Sequence, residues 1–238
     1  MNYFFWWLLE PISFFVFFSV ILFLSWKVNH QIRFKVLAIY FLFTLAVSVK
    51  IVFTLDNSFL YSVMYLLTGV GLGYYFFLLF EIRLKKGIAL VTSISTIVYY
   101  LYMHLIVGGE SLFPSMGFVI TSLEVIILIF LYFHQLMTNI KEDSLLSSVD
   151  FWFICSQVIY HLGAFGIFLT YNHLTAKIVV EENYSYENRS LLADLWGAHN
   201  ILLFVSSLII WYGVLRIFYQ TKSNSRNQMH PLRIFSKK

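Results

Sequence analysis

The sequence predicts an all-α polytopic membrane protein, a seven-transmembrane-helix bundle. Three observations predict it. Of the 238 residues, 60% are hydrophobic and 20% aromatic. Only 12% are charged, about half the share of a soluble domain. The apolar residues also fall in runs close to the ~20 residues that a helix needs to cross a bilayer. These runs are too continuously apolar for a β-barrel, whose strands alternate over about 10 residues. The net charge of +4 sits mainly at the ends of runs, where it reads as an orientation signal rather than a nucleic-acid surface. Cys155 is the single cysteine, which excludes an internal disulfide and a thiolate metal cluster.

The first run, Tyr3–Trp26, is interrupted by Glu10 and Pro11. It lacks the basic start and small-residue cleavage site of a signal peptide, so it is expected to be a retained helix. Proline suits a first helical turn. The span is therefore expected to start near Pro11, after an aromatic lead segment. The alternative is a kinked helix with Glu10 facing the bundle. A basic linker, Lys27–Lys35, leads to helix two over Val36–Leu55, with Lys50 near its far end. Asp56-Asn57 is a turn, and helix three runs over Phe59–Phe80. Its TGVGLG stretch, Thr68–Gly73, places Gly69, Gly71 and Gly73 two apart rather than at the fourfold separation usual in helix packing. No strand precedes it and no Lys-Ser/Thr follows it, so it is not a phosphate loop. It points to close packing or a flexible segment.

Glu81, Arg83, Lys85 and Lys86 form the next interface, and helix four is Ile88–Val107, carrying Thr92, Ser93, Ser95, Thr96 and His104. Gly108-Gly109-Glu110 ends it. Helix five, the run Phe113–Met137, contains Glu124. A polar loop with Lys141, Glu142 and Asp143 follows. Asp150 is expected to cap helix six, which runs to about Tyr171 with Gln157, His161, Gly163 and Gly166. Asn172–Arg189 reads as the longest polar linker. Helix seven spans Leu191–Tyr219 with Asp194, His199 and Asn200. Residues 1–220 would then be the membrane domain and 221–238 a basic tail.

Seven spans put the termini on opposite sides. Of the 16 Lys and Arg residues, all but Lys50, Lys177 and Arg189 fall on the side of the C-terminus. The positive-inside rule then predicts an outside N-terminus and a cytoplasmic C-terminus in a bacterial inner membrane.

Glu124 carries the largest desolvation cost, because its depth in the run is greatest and no basic residue is near in sequence. At helical spacing it shares a face with Thr121, Leu128, Leu131 and Gln135. The topology places Lys50, His104, His199 and Asn200 toward the outer side. Glu124 and His161 lie near mid-membrane, with Gln157 further in. These seven residues form an expected polar track. Each has a plainer role: Lys50 can snorkel, and the histidines and Asn200 can hydrogen-bond between helices. Glu124 divides evenly between a structural hydrogen bond and a ligand-binding or proton-transfer role. Zinc held by His104, His161 and His199, with Glu124 orienting water, is the sharpest catalytic alternative. No helix carries a close His pair, and His161 is deeper than the other two, so no cofactor is favoured. There is no G-x-S-x-G motif, and the last helix has no lysine for a retinal linkage.

Four segments carry a resemblance: DNSFLY at Asp56–Tyr61, SLEVIILIFLYFHQL at Ser122–Leu136, DFWFICSQVIYHLGAFGIFL at Asp150–Leu169 and LWGAHNILLF at Leu195–Phe204. Together they resemble small seven-helix membrane proteins common in Bacteroidota. In that pattern the acid corresponds to Glu124, the aromatic pair opening helix six to Phe151-Trp152, and the late histidine to His199. The resemblance implies a seven-helix integral membrane fold linked to signalling and brings no catalytic mechanism. The expected function is a receptor-like or accessory signalling protein that binds a small hydrophobic ligand or lipid in the bundle. A separate cytoplasmic or membrane partner would receive the signal. An ion-coupled transporter or channel is the first alternative, and a metal-dependent intramembrane hydrolase the second.

Overall fold

The computed structural model describes residues 3–27, 31–54, 57–107, 113–138, 145–181 and 186–229. They form seven α-helices: α1 (Tyr3–Lys27), α2 (Ile32–Val52), α3 (Ser58–Leu79), α4 (Arg83–Leu105), α5 (Ser115–Thr138), α6 (Val149–Glu181) and α7 (Tyr186–Met229). A short 3-10 turn, Leu145–Ser147, precedes α6. Each helix contains a stretch long and apolar enough to cross a membrane. The chain is thus an all-α seven-helix bundle, as its composition and runs predict. Asp56, Gly108-Gly109-Glu110, Lys141, Glu142, Asp143 and the tail from 230 lie outside the described residues.

Three expectations about helix limits are corrected. The first helix does not begin at Pro11 but passes through it. A proline here removes only one ladder hydrogen bond, and surrounding helices make such a loss tolerable within a bundle. Glu10 consequently faces the interior, with 3% of its surface exposed. The expected linker Asn172–Arg189 is mostly helical, because α6 continues to Glu181 and α7 begins at Tyr186. That stretch is polar but contains no Gly or Pro, and polarity alone does not end a helix. Helices α2 and α4 start about one turn early, so Arg33 and Lys85 sit on helices rather than in linkers.

The helices form a ring in the order α1, α2, α3, α5, α6, α7, closed by contact between α7 and α1. Helix α4 stands outside the ring, packed against α3 and α5. Only 17% of its membrane-length window is buried, against 61% for α5. Gly69 and Gly73 set this packing. A Cβ at Gly69 would collide with the Thr96 side chain, and one at Gly73 with the Ser93 side chain. These two glycines are four residues apart, so they share one face and let α4 approach α3 closely. Gly71 points elsewhere, against the Tyr40 ring of α2. The reading of three glycines at a spacing of two hid this fourfold pair.

Aromatic side chains fill the ring. Phe17 and Phe41 stack with centroids 4.8 Å apart, and Tyr75 meets Phe153 edge-on at 4.9 Å. Hydroxyls of the helix interiors bond back to their own ladders, as in Ser13 to the Leu9 carbonyl at 2.6 Å and Thr44 to the Tyr40 carbonyl at 2.8 Å. This hides their polarity without a partner helix.

Candidate functional site

Three polar groups interrupt the apolar interior, and each sits at a different place in the ring. The first is Glu124. Its two carboxyl oxygens accept hydrogen bonds from Ser95 and from Thr96, both on α4. Thr96 in turn rests in the space left by Gly69. Further along the same face of α5, the Leu131 carbonyl accepts from Lys85 Nζ at 2.9 Å. Gln135 accepts the Glu81 backbone N–H at 3.4 Å. The face carrying Glu124, Leu131 and Gln135 is therefore the surface on which α4 and the start of its connection to α3 dock.

The second group lies at the basic ends of α2, α3 and α6. Asp150 accepts from Arg33 at 2.7 Å and from the Tyr75 hydroxyl at 2.8 Å. Asp150 is in the first turn of α6, where a carboxylate is favoured by the helix dipole. Its partners come from other helices, so it ties elements together more than it caps one.

The third group surrounds an enclosed chamber of about 20 Å3 inside the ring. Its polar lining includes Glu10 from α1, Tyr61 from α3, Gln157 and Tyr160 from α6, and Trp196 and His199 from α7. Glu10 Oε1, the Tyr61 hydroxyl and Trp196 Nε1 are buried and have no hydrogen-bond partner among the described residues. His199 is fully engaged: Nδ1 lies 3.0 Å from Asn200 Oδ1 and Nε2 lies 2.8 Å from the Tyr160 hydroxyl. Among the described residues, no Lys or Arg lines the chamber. A buried carboxyl without a cationic neighbour is costly, by several kcal/mol when ionised.

Directly beyond the chamber, toward the start of α1 and α7, is a more open cavity of about 170 Å3. It is walled by Trp7, Tyr61, Phe113, Tyr171, Leu192, Ala193 and Trp196. Tyr61 and Trp196 line both cavities and meet edge-on with centroids 5.0 Å apart. They form the partition between an aromatic vestibule and the polar chamber. Phe113 braces it, 5.0 Å from each of Tyr61, Trp196 and Tyr171.

The expected polar track divides among these places. Gln157, His199 and Asn200 come together around the chamber. His161 is buried nearby on α6, with Nδ1 3.4 Å from Ser122 Oγ on α5. Ser122 and Glu124 are two residues apart, about 200° around the helix. Glu124 and His161 therefore match in depth but lie on opposite sides of α5. His104 is half-buried outside the ring, between the rings of Tyr100 at 4.4 Å and Phe59 at 5.7 Å. Lys50 is exposed near the end of α2. Among the described residues no group of three or more His, Cys, Asp or Glu side chains gathers as a metal-ligand set.

Tyr61, Tyr160 and Trp196 are the lining residues that sequence reasoning passed over. The sequence puts Glu10 first at a helix start beside Pro11, with a bundle-facing Glu10 as the alternative, and its burial agrees with the alternative. No protein-family model matches the chain, and comparison with curated proteins and with solved structures finds no match. The likeness to seven-helix proteins thus stands at the level of architecture: a polytopic all-helical protein with seven membrane-length helices.

Proposed function

We propose that this chain is a receptor-like membrane protein that takes a small ligand into the vestibule at the start of α1 and α7. The observation that carries the reading is the pair of stacked cavities sharing Tyr61 and Trp196. An apolar cavity of about 150 Å3 in a protein core accepts benzene, so the 170 Å3 vestibule has room for one ring-sized molecule. On the far side of the chamber, Phe17, Phe41, Phe153 and Tyr75 fill the ring. Their packing favours access from the vestibule end. A dead-end site suits binding, whereas a channel needs a route past those rings.

A ligand that prefers one packing of Tyr61 and Trp196 shifts how α1, α3 and α7 meet. The output would reach a separate partner at the opposite, basic end, where Arg33, Asp150 and Tyr75 join α2, α6 and α3. By the positive-inside rule that end is cytoplasmic, in a bacterial inner membrane.

The test is a thermal-shift series on detergent-solubilised protein with single-ring aromatic alcohols and amines. A saturable rise in Tm is expected, and Ala193→Trp, which fills the vestibule, should abolish it while leaving the protein folded. A series with no stabilising compound would count against the reading. Directional uptake of a stabilising compound into proteoliposomes would favour a transporter instead.

A further inference from the structure

We propose that the ligand is an arylalkylamine, its ring in the vestibule and its primary ammonium against Glu10. The inference rests on the vestibule reading above and adds the chemistry of the ligand. The vestibule walls are mostly the rings of Trp7, Tyr61, Phe113, Tyr171 and Trp196. Such walls favour another aromatic ring and also the approach of a cation to their faces. The chamber beneath, at about 20 Å3, has room for a head group of one heavy atom, since about 10–15 Å3 suffices for a water.

The polar lining then selects the charge of that head. Glu10 is only 3% exposed, and its Oε1 has no hydrogen-bond partner among the described residues. Among the described residues, no Lys or Arg lines either cavity. The two contacts of His199 are complete for an uncharged ring, with Nδ1–H donating to Asn200 Oδ1 and Nε2 accepting the Tyr160 hydroxyl. A cationic guest would supply the counter-charge for an ionised Glu10. A primary ammonium is one heavy atom in size and carries three donors. Glu10, the Tyr61 hydroxyl oxygen and the Gln157 carbonyl oxygen offer acceptors around the chamber, Gln157 using its amide nitrogen on Ser156 Oγ at 3.3 Å.

An ethanolamine phospholipid carries the same ammonium. It also brings a phosphate, for which the described lining residues include no Lys or Arg as a cationic partner. The ring-sized vestibule favours the free amine. Because Tyr61 and Trp196 touch edge-on, one of them must turn to seat the ammonium. That rotation is the step that couples binding to helix packing.

The experiment measures equilibrium binding of radiolabelled phenethylamine to the full chain in phosphatidylcholine nanodiscs. Saturable binding at one site is expected. The neutral isostere 2-phenylethanol should compete about ten- to a hundredfold more weakly, the range for a hydrogen bond to a charged group. Glu10→Gln should erase that preference at unchanged Tm. The trimethylated phenethylammonium, whose head exceeds the chamber, should also compete at least about tenfold more weakly, a readout that needs no variant. Equal affinity for amine and alcohol, or a preference that survives Glu10→Gln, overturns the ammonium assignment and leaves the ring-binding reading intact. Loss of phenethylamine binding in phosphatidylethanolamine nanodiscs assigns the site to a lipid head group and overturns the free amine. Binding of neither compound overturns both readings.

Discussion

Glu124 is held by two hydroxyls of α4, whereas Glu10 faces a chamber whose described lining holds no Lys or Arg. A buried carboxyl is tolerated when its neighbours complete its hydrogen bonds, and expensive when they do not. The same sequence signal marks both residues, and the neighbouring helices separate their roles. Glu124→Ala should therefore behave as the loss of a helix anchor. The expected cost is about 1–3 kcal/mol, given the modest worth of interhelical hydrogen bonds in membranes. It is moderated because the Ser95 hydroxyl, once released, can donate to the Thr92 carbonyl of its own helix, 2.9 Å away. Steric-trapping measurements in bicelles would give that value, and vestibule binding should be unchanged. A variant of normal stability that no longer binds ligand would instead give Glu124 a functional role.

At the scale of elements, α4 is the helix most readily displaced. Among the described elements it packs against α3 and α5 alone, and its approach depends on the missing side chains of Gly69 and Gly73. Gly73→Leu should force overpacking against Ser93 and cost about 1–3 kcal/mol. Gly87 is the control, because nothing lies within 4 Å of a Cβ placed there. Gly87→Ala should be neutral or raise stability by up to about 1 kcal/mol through helix propensity. Unfolding midpoints of the two variants, measured in one detergent, check the contrast. The number and approximate position of these helices could be read from the runs because each run must bury its own backbone in lipid. Their ends could not, since Asn172–Arg189 is polar yet contains nothing that stops a helix. The lateral order was also hidden. Ser122 and Glu124 stand two residues apart, and only the ring order gives His161 to one and Ser95 to the other. Pro11 misled in the same way, because its local preference for a first turn yielded to the packing of α1 against α2 and α7.

Over the whole molecule the two ends differ in chemistry, and that difference gives the bundle a direction. One end carries the aromatic vestibule. The other carries Arg33 paired with Asp150, and Lys85 bonded to the end of α5. Breaking the Arg33–Asp150 pair should be felt across three helices. Arg33→Ala is expected to cost about 3 kcal/mol, the lower end for a buried pair, because a quarter of the arginine side chain remains exposed. Replacing both partners by leucine should recover part of that loss, since no charge is then left buried alone. The orientation of the ends is a separate prediction. Charge asymmetry favours the basic end inside, which puts Asn57 outside and Ser148 in the cytoplasm. Cys155→Ala removes the native thiol, so single cysteines introduced at Asn57 and Ser148 can report on each side. An impermeant maleimide added to intact cells should label the cysteine at 57 at once and the one at 148 only after permeabilisation. The reverse pattern would place the vestibule on the cytoplasmic side, and an extracellular ligand would then have no direct path to Glu10.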